Sequence, residues 1–273
     1  MATIVFVHAH PDDEASSTGG SIARASDEGH RVVLVVCTNG DHGSQPDDLA
    51  DGESLVERRR AETARAGEIL GIHRIAWLGY TDSGMHGWPE NTAEGSFWAA
   101  DVDDAARRLA DLVADEHVDL LVTYDWHGGY GHPDHVQAYR VGVRAAELLG
   151  GPRRLEVTFN RDEWRRQAEE YRAANQEAAD AADWDPDALG DDGNPLGTPE
   201  DELSLAVDVM PWVARKQAAL GAHASQVEDA GWMAAMEPEQ FAAGFGVEWY
   251  IDPAAPPGLR RGWLLDPVAE PRR

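Results

Sequence analysis

Two stretches of this chain put imidazoles and carboxylates where buried strands end. His10-Pro11-Asp12-Asp13-Glu14 follows the apolar run Ile4-Val5-Phe6-Val7. Asp125-Trp126-His127-Gly128-Gly129-Tyr130-Gly131-His132-Pro133-Asp134-His135 follows Val118-Asp119-Leu120-Leu121-Val122-Thr123-Tyr124. His10 and Asp13 from one stretch and His135 from the other supply two nitrogen donors and one carboxylate. With a fourth position left for water, that is the donor pattern of a catalytic zinc site. Zinc there would lower its water's pKa towards ~7 and polarise an amide carbonyl. Asp12 neighbours a ligand but is expected to point elsewhere, because successive side chains diverge in extended backbone. It is then free to act as general base on that water. Tyr130 lies on a glycine-flanked loop able to swing its hydroxyl towards a carbonyl. Asp134 is placed to receive a ring N–H of His132 or His135. Without a metal, the same residues read as an acidic turn, with His132 capping a helix and Asp134 satisfying its first turn.

The elements that must position these groups alternate. Strand Ile4 to Val7 is stopped by Pro11, and Ala15 to Glu28 reads as a helix. Strand Arg31 to Thr38 leads into the turn-rich loop Asn39 to Ser44 and the weakly patterned stretch Gln45 to Glu53. Ser54 to Leu70 is an amphipathic helix, opened by the capping-box pair Ser54 and Glu57 and ended by Gly71. Strand Arg74 to Leu78 precedes a loop, Gly79 to Gly95, long enough to suggest function. A helix over Phe97 to Glu116, the strand ending at Tyr124, a helix over about Asp134 to Leu149 and a strand over Leu155 to Asn160 complete the alternation. The pattern predicts an α/β fold: a Rossmann-like, mostly parallel sheet flanked by helices, with right-handed crossovers. Ligands in such sheets bind outside the carboxyl ends of the strands, where both motifs fall.

Beyond Asn160 the pattern changes to a smaller C-terminal α+β extension. It reads as a charged helix (Asp162 to Ala182), an exposed acidic loop (Asp183 to Glu202), an edge strand (Leu203 to Val209), a helix (Pro211 to Ala222) and a late strand (Gly246 to Ile251). In the tail Asp252 to Arg273, Trp263-Leu264-Leu265 has either the body of the protein or a neighbouring subunit in a homo-oligomer to dock on. Nothing divides residues 1–273 into independently folding halves, so one domain is expected, with 1–160 as catalytic core and 161–273 as extension.

The paired motifs resemble those of the LmbE/PIG-L-like family of zinc-dependent N-deacetylases. The likeness is nearest to its mycothiol-type branch of N-acetylglucosaminyl-inositol deacetylases and mycothiol-conjugate amidases. Arg59 three residues before Glu62, Tyr80-Thr81-Asp82-Ser83-Gly84-Met85, Lys216 and Ala222-His223-Ala224-Ser225-Gln226 also match that branch. The likeness covers roughly residues 3–150 and 204–230. It implies removal of an acetyl group from an N-acetylglucosamine conjugate, with Zn²⁺ or Fe²⁺ as cofactor. It also implies that His132 stabilises an oxyanion or donates a proton, and that Arg59 and Asp82 contact sugar or inositol hydroxyls. Ser17 stands where the amidases tend to carry lysine, which favours the deacetylase. The loop before Arg59 is short for that enzyme, however, and Ala178 to Ser204 has no matching counterpart. A conjugate amidase, or a deacetylase of a secondary metabolite, is therefore the alternative.

Composition narrows the partners. A formal net charge of -27 argues against nucleic acid and against an anionic membrane. The expected partner is a small amino-sugar molecule. Cys37, the only cysteine, falls in a strand pattern and reads as a buried core thiol. No apolar run approaches the ~20 residues of a membrane span, so a cytoplasmic location is expected. A non-catalytic, Rossmann-like nucleotide-binding protein is the remote alternative. Against it, Thr18-Gly19-Gly20 is not G-x-G-x-x-G and lies beyond the strand end. Those glycines fit close packing of the first helix better. An inert metal-holding protein would be favoured by loss of Asp12, which is present.

Overall fold

Continuous β-branched runs that bury both faces can only sit inside a sheet covered on each side. The computed structural model, which describes residues 1–174, 185, 187–190, 192–226, 231–256 and 258–268, has that architecture. Strands β1 (Thr3–His8), β2 (Arg31–Thr38), β3 (Arg74–Tyr80), β4 (Leu120–Tyr124) and β5 (Arg153–Thr158) pair in parallel in the order β3-β2-β1-β4-β5. Helices α1 (Asp13–Asp27), α2 (Leu55–Leu70), α3 (Val102–Leu112) and α4 (Pro133–Leu148) alternate with them. Ile4, Val5, Phe6 and Val7 on β1 and Val32 to Cys37 on β2 are fully buried, so the core lies on both faces of the central strands.

Local chemistry sets the ends of the elements. At α2, Ser54 and Glu57 form the expected capping box, and Gly71 closes the helix in the left-handed conformation at φ 80. Helix α3 is shorter than the expected Phe97 to Glu116. Asp101 accepts a bond from the Asp104 amide as its N-cap, and Phe97 belongs to the preceding loop as a buried core residue. Residues 114–116 form a separate 3-10 turn after Val113.

The C-terminal part continues the same sheet. After α5 (Arg161–Ala174) come β6 (Leu205–Asp208), α6 (Val213–Gly221), α7 (Gly231–Ala234), α8 (Pro238–Phe245), β7 (Val247–Ile251) and β8 (Arg260–Arg261). The full strand order is β3-β2-β1-β4-β5-β7-β6-β8, with β7 antiparallel to both β5 and β6. The stretch expected to be an edge strand is therefore interior, with β8 pairing along its free side. Trp263 and Leu264 are buried in the chain's own core. Part of the expected charged helix and acidic loop lies outside the described residues. Among the described residues, no helix is long and apolar enough to cross a membrane.

Candidate active site

Both motifs sit beyond the carboxyl ends of β1 and β4, which are hydrogen-bonded neighbours. This adjacency brings together groups about 125 residues apart in sequence. His10 Nδ1, Asp13 Oδ2 and His135 Nε2 stand 3.3 to 3.5 Å from one another. Four ligands at about 2.0–2.2 Å from a tetrahedral ion would be separated by about 3.3–3.6 Å, so the three donors already span one face of such a tetrahedron. Ring tautomers suit the same purpose. His135 Nδ1 lies 3.1 Å from the Gly128 carbonyl and His10 Nε2 lies 3.2 Å from Asp134 Oδ2. Each ring thus donates its N–H away from the trio and turns a lone pair into it. The Asp13 carboxylate accepts the His10 amide at 2.8 Å. Burial pushes its pKa up, but the imidazoles of His135 and His10 outweigh burial and hold it well below the usual carboxylate range.

Asp12 diverges from Asp13 for a different reason than extended backbone. It has φ 102 and ψ -28, left-handed for a residue with a Cβ, and α1 begins at the next position. Such a conformation costs of order 1–3 kcal/mol and persists only where its surroundings impose it. Although Asp12 occupies the N-cap, its side chain makes no capping bond. Its carboxylate instead lies 3.2 Å from Arg59 Nη2. Burial pushes the Asp12 carboxyl up to about 6, against the opposing guanidinium of Arg59.

The remaining candidates gather around this centre. His132 Nδ1 accepts the Asp134 amide at 3.1 Å, so the neutral ring carries its proton on Nε2. Its ring meets that of His10 edge-on at 4.6 Å. Burial first, then the neighbouring imidazoles, hold its pKa well below that of a free histidine. Tyr130 Oη is 3.5 Å from His135 Nε2. The Asp134 carboxylate, expected to serve His132 or His135, pairs with His10 instead and accepts the Ser83 amide at 2.9 Å. Asp82 Oδ1 accepts the Gly84 amide at 2.8 Å and lies 3.5 Å from His10 Nε2. Arg59, expected at sugar hydroxyls, has its guanidinium engaged with Gly40 O, Pro11 O and Asp12.

All of the predicted site residues except Asp134 line one cavity of about 480 Å³, and Ser17 lines it too. Phe159, Trp164, Phe245 and Trp249 give the same cavity an aromatic lining. Several groups that hold the site carried little signal in the sequence. His8 links Thr18 to the Tyr124 hydroxyl, which also receives the Ala9 amide. Asp125 accepts the amides of His127 and Gly129 and so shapes the loop bearing Tyr130. The one available cue was position, since His8 and Tyr124 are the last residues of their strands.

Comparison with known proteins adds ancestry to this geometry. The family PIG-L: GlcNAc-PI de-N-acetylase matches residues 5–146. The chain is 37% identical over 263 residues to the 1D-myo-inositol 2-acetamido-2-deoxy-alpha-D-glucopyranoside deacetylase of Acidothermus cellulolyticus, covering 92% of this chain and 88% of the relative. It is 41% identical over 244 residues to the protein of that name from Thermobifida fusca, covering 84% of each. Among solved structures, N,N'-diacetylchitobiose deacetylase from Pyrococcus horikoshii shares the fold. The match has a TM-score of 0.53 and 22% identity, over 91% of this chain and 82% of that one.

Proposed function

This chain belongs to the PIG-L family of GlcNAc-PI de-N-acetylases, and we propose that it is a metal-dependent hydrolase removing the N-acetyl group from an N-acetylglucosamine conjugate. The observation that carries the reading is the trio His10, Asp13 and His135, with donors 3.3 to 3.5 Å apart and Asp12 beside it in the same cavity. The relatives support 2-acetamido-2-deoxyglucosyl inositol as the first substrate to try.

His10, Asp13 and His135 would hold the ion, with zinc favoured by two imidazoles and one carboxylate. When bound, such an ion supplies Lewis acidity to the amide carbonyl and to the attacking water. Asp12 takes the proton from that water. His132 presents its Nε2–H to the oxygen that gains charge, Tyr130 offers its hydroxyl as a second donor, and Asp12 returns the proton it has taken to the departing amine. Asp134 acts through His10, keeping the ring in the tautomer whose Nδ1 faces the other two donors. Asp82 lies where a carboxylate can accept from sugar hydroxyls.

The test is release of free amine from a panel of N-acetylated glucosaminyl conjugates by metal-loaded protein. We expect turnover of the inositol conjugate, abolished by chelation and restored by metal. Turnover of mycothiol S-conjugates with no deacetylation would replace the reading with the amidase alternative.

A further inference from the structure

The stretch Ala178 to Ser204 has no match among the family motifs, yet part of it closes over the loop that carries Tyr130. That loop has little shape of its own. Gly128, Gly129 and Gly131 have positive φ, at 64, 80 and 89, and glycine gives up more backbone freedom on ordering than any other residue. Asp125 holds the loop from one side by accepting the amides of His127 and Gly129. The other side is held from far along the chain. The Gly197 amide donates to the Gly129 carbonyl at 2.7 Å, and the Thr198 hydroxyl donates to Asp125 at 3.2 Å. His127, only 2% exposed, donates its Nε2–H to the Asp192 carboxylate at 2.9 Å. Asp192 is fixed in turn by the amide and the side-chain nitrogen of Asn194, at 3.0 and 2.8 Å. We propose that Asp192, acting through His127, is a positioning residue for Tyr130. This rests on the deacetylase reading above, in which the Tyr130 hydroxyl donates to the oxygen that gains charge.

Close packing ties the two segments as firmly as hydrogen bonding does. A Cβ at Gly131 would stand 2.8 Å from Asp192 Oδ1 and 3.0 Å from His127 Nε2. A Cβ at Gly190 would collide with the Tyr130 carbonyl oxygen. The bond between His127 and Asp192 ends on a carboxylate, which makes it one of the stronger kinds. Neither residue lines the cavity that Tyr130 lines, so the pair reaches the substrate only through the loop. The grip is on the backbone and on the imidazole of His127. It sets the point from which the Tyr130 hydroxyl swings and leaves the side chain its own rotation. Misplacing a donor by about 1 Å can cost roughly 10²-fold in rate, so the anchor of this side chain matters as much as its hydroxyl.

The experiment is a double-mutant cycle on metal-loaded enzyme turning over N-acetylglucosaminyl inositol. Asp192→Ala, Asp192→Asn and Gly190→Ala are each made alone and on a Tyr130→Phe background. Asp192→Ala should lower kcat roughly 10–100-fold and leave KM within about twofold, because what is lost acts in the transition state. Asp192→Asn keeps an acceptor for His127 and should recover part of that loss. Gly190→Ala removes no hydrogen-bonding group and should repeat the pattern by pushing on the Tyr130 carbonyl. On the Tyr130→Phe background each substitution should cost less than about threefold, since residues that act as a unit are non-additive. Amide hydrogen exchange of residues 126–132, followed without substrate, should quicken roughly tenfold in Asp192→Ala while that of β1 stays unchanged. Two results would overturn the proposal: the same fold-loss with and without the Tyr130 hydroxyl, or wild-type kcat and exchange in Asp192→Ala. If Asp192→Ala does not fold, Gly190→Ala carries the same comparison. Wild-type protein inactive on the conjugate would remove the deacetylase reading instead, and the exchange rates would then decide on the clamp alone.

Discussion

At the scale of single residues, spacing exposes which groups meet but hides how each is turned. His10, Asp13 and His135 were legible because buried strands deliver their polar ends to one edge of a parallel sheet. The positive φ of Asp12 was not legible, since nothing in His10-Pro11-Asp12-Asp13-Glu14 distinguishes a left-handed turn from an extended one. For the same reason the motif gave Asp134 to the wrong imidazole. Its partner, His10, arrives from a loop 124 residues away. Asp82 tests the substrate reading. Asp82→Ala should lower kcat/KM for a glucosaminyl conjugate by roughly 10–150-fold, the worth of a buried charged hydrogen bond. A minimal N-acetyl substrate should lose less, because it lacks the hydroxyls being held. Equal losses on both would mean that Asp82 acts by supporting the His10 ring, 3.5 Å away.

At the scale of elements, α1 is fixed by glycines whose purpose the sequence hinted at. A Cβ on Gly20 would come within 2.4 to 2.8 Å of three Val209 side-chain carbons. Gly20→Ala should gain up to about 1 kcal/mol of helix propensity and lose about 1–3 kcal/mol to overpacking. The second effect wins, and a net drop in denaturant midpoint is expected. Adding Val209→Ala should recover part of it, and an unchanged midpoint in Gly20→Ala would refute the close-packing account. Strand β5 supplies a pH prediction. Burial raises the Glu156 carboxyl to about 7, with Arg154 opposing and Asp125 adding to the rise, although Arg154 Nη2 is only 3.0 Å away. A carboxyl with a raised folded pKa binds its proton more tightly in the native state. Its contribution is present below about pH 4.5 and lost as pH climbs through about 7. Wild type should therefore lose roughly 1–3 kcal/mol relative to Glu156→Gln across that window. Parallel stability curves for the two proteins would contradict this.

At the scale of the whole molecule, the C-terminal part holds the N-terminal site from behind. Lys216, the only lysine, reaches Glu248 at 2.7 Å with both side chains buried, and Glu248 also accepts the amides of Gly20 and Ser21. His223 braces Glu14, and Ser225 donates to Glu62 through its amide and hydroxyl. The alternation of apolar runs and helical patterns announced the first α/β half, because each strand there is legible from its own residues. It was silent on these ties, which apart from Lys216–Glu248 join residues 163 to 228 positions apart. Breaking a buried pair usually costs about 3–5 kcal/mol. Because Glu248 would keep three other donors, Ser21 and Gly20 amides and the Tyr250 hydroxyl, Lys216→Met should fall near the low end, roughly 3 kcal/mol. A Tm drop of about 6–12 °C is the corresponding readout for a chain of this size. A variant as stable as wild type would show that the pair does not fasten α6 to β7.

The division of labour between Asp12 and Asp13 is the centre of the account, and metal retained per chain tests it most directly. Asp12→Ala and Asp13→Ala are loaded with zinc, desalted and measured for bound metal beside their turnover of the same N-acetylglucosaminyl conjugate. Asp12→Ala should keep one ion per chain while losing roughly 10²–10⁴-fold in turnover, the usual worth of a general base. Asp13→Ala should lose the ion and the activity together. The opposite pattern, metal lost from Asp12→Ala and kept by Asp13→Ala, would contradict the assignment of both residues.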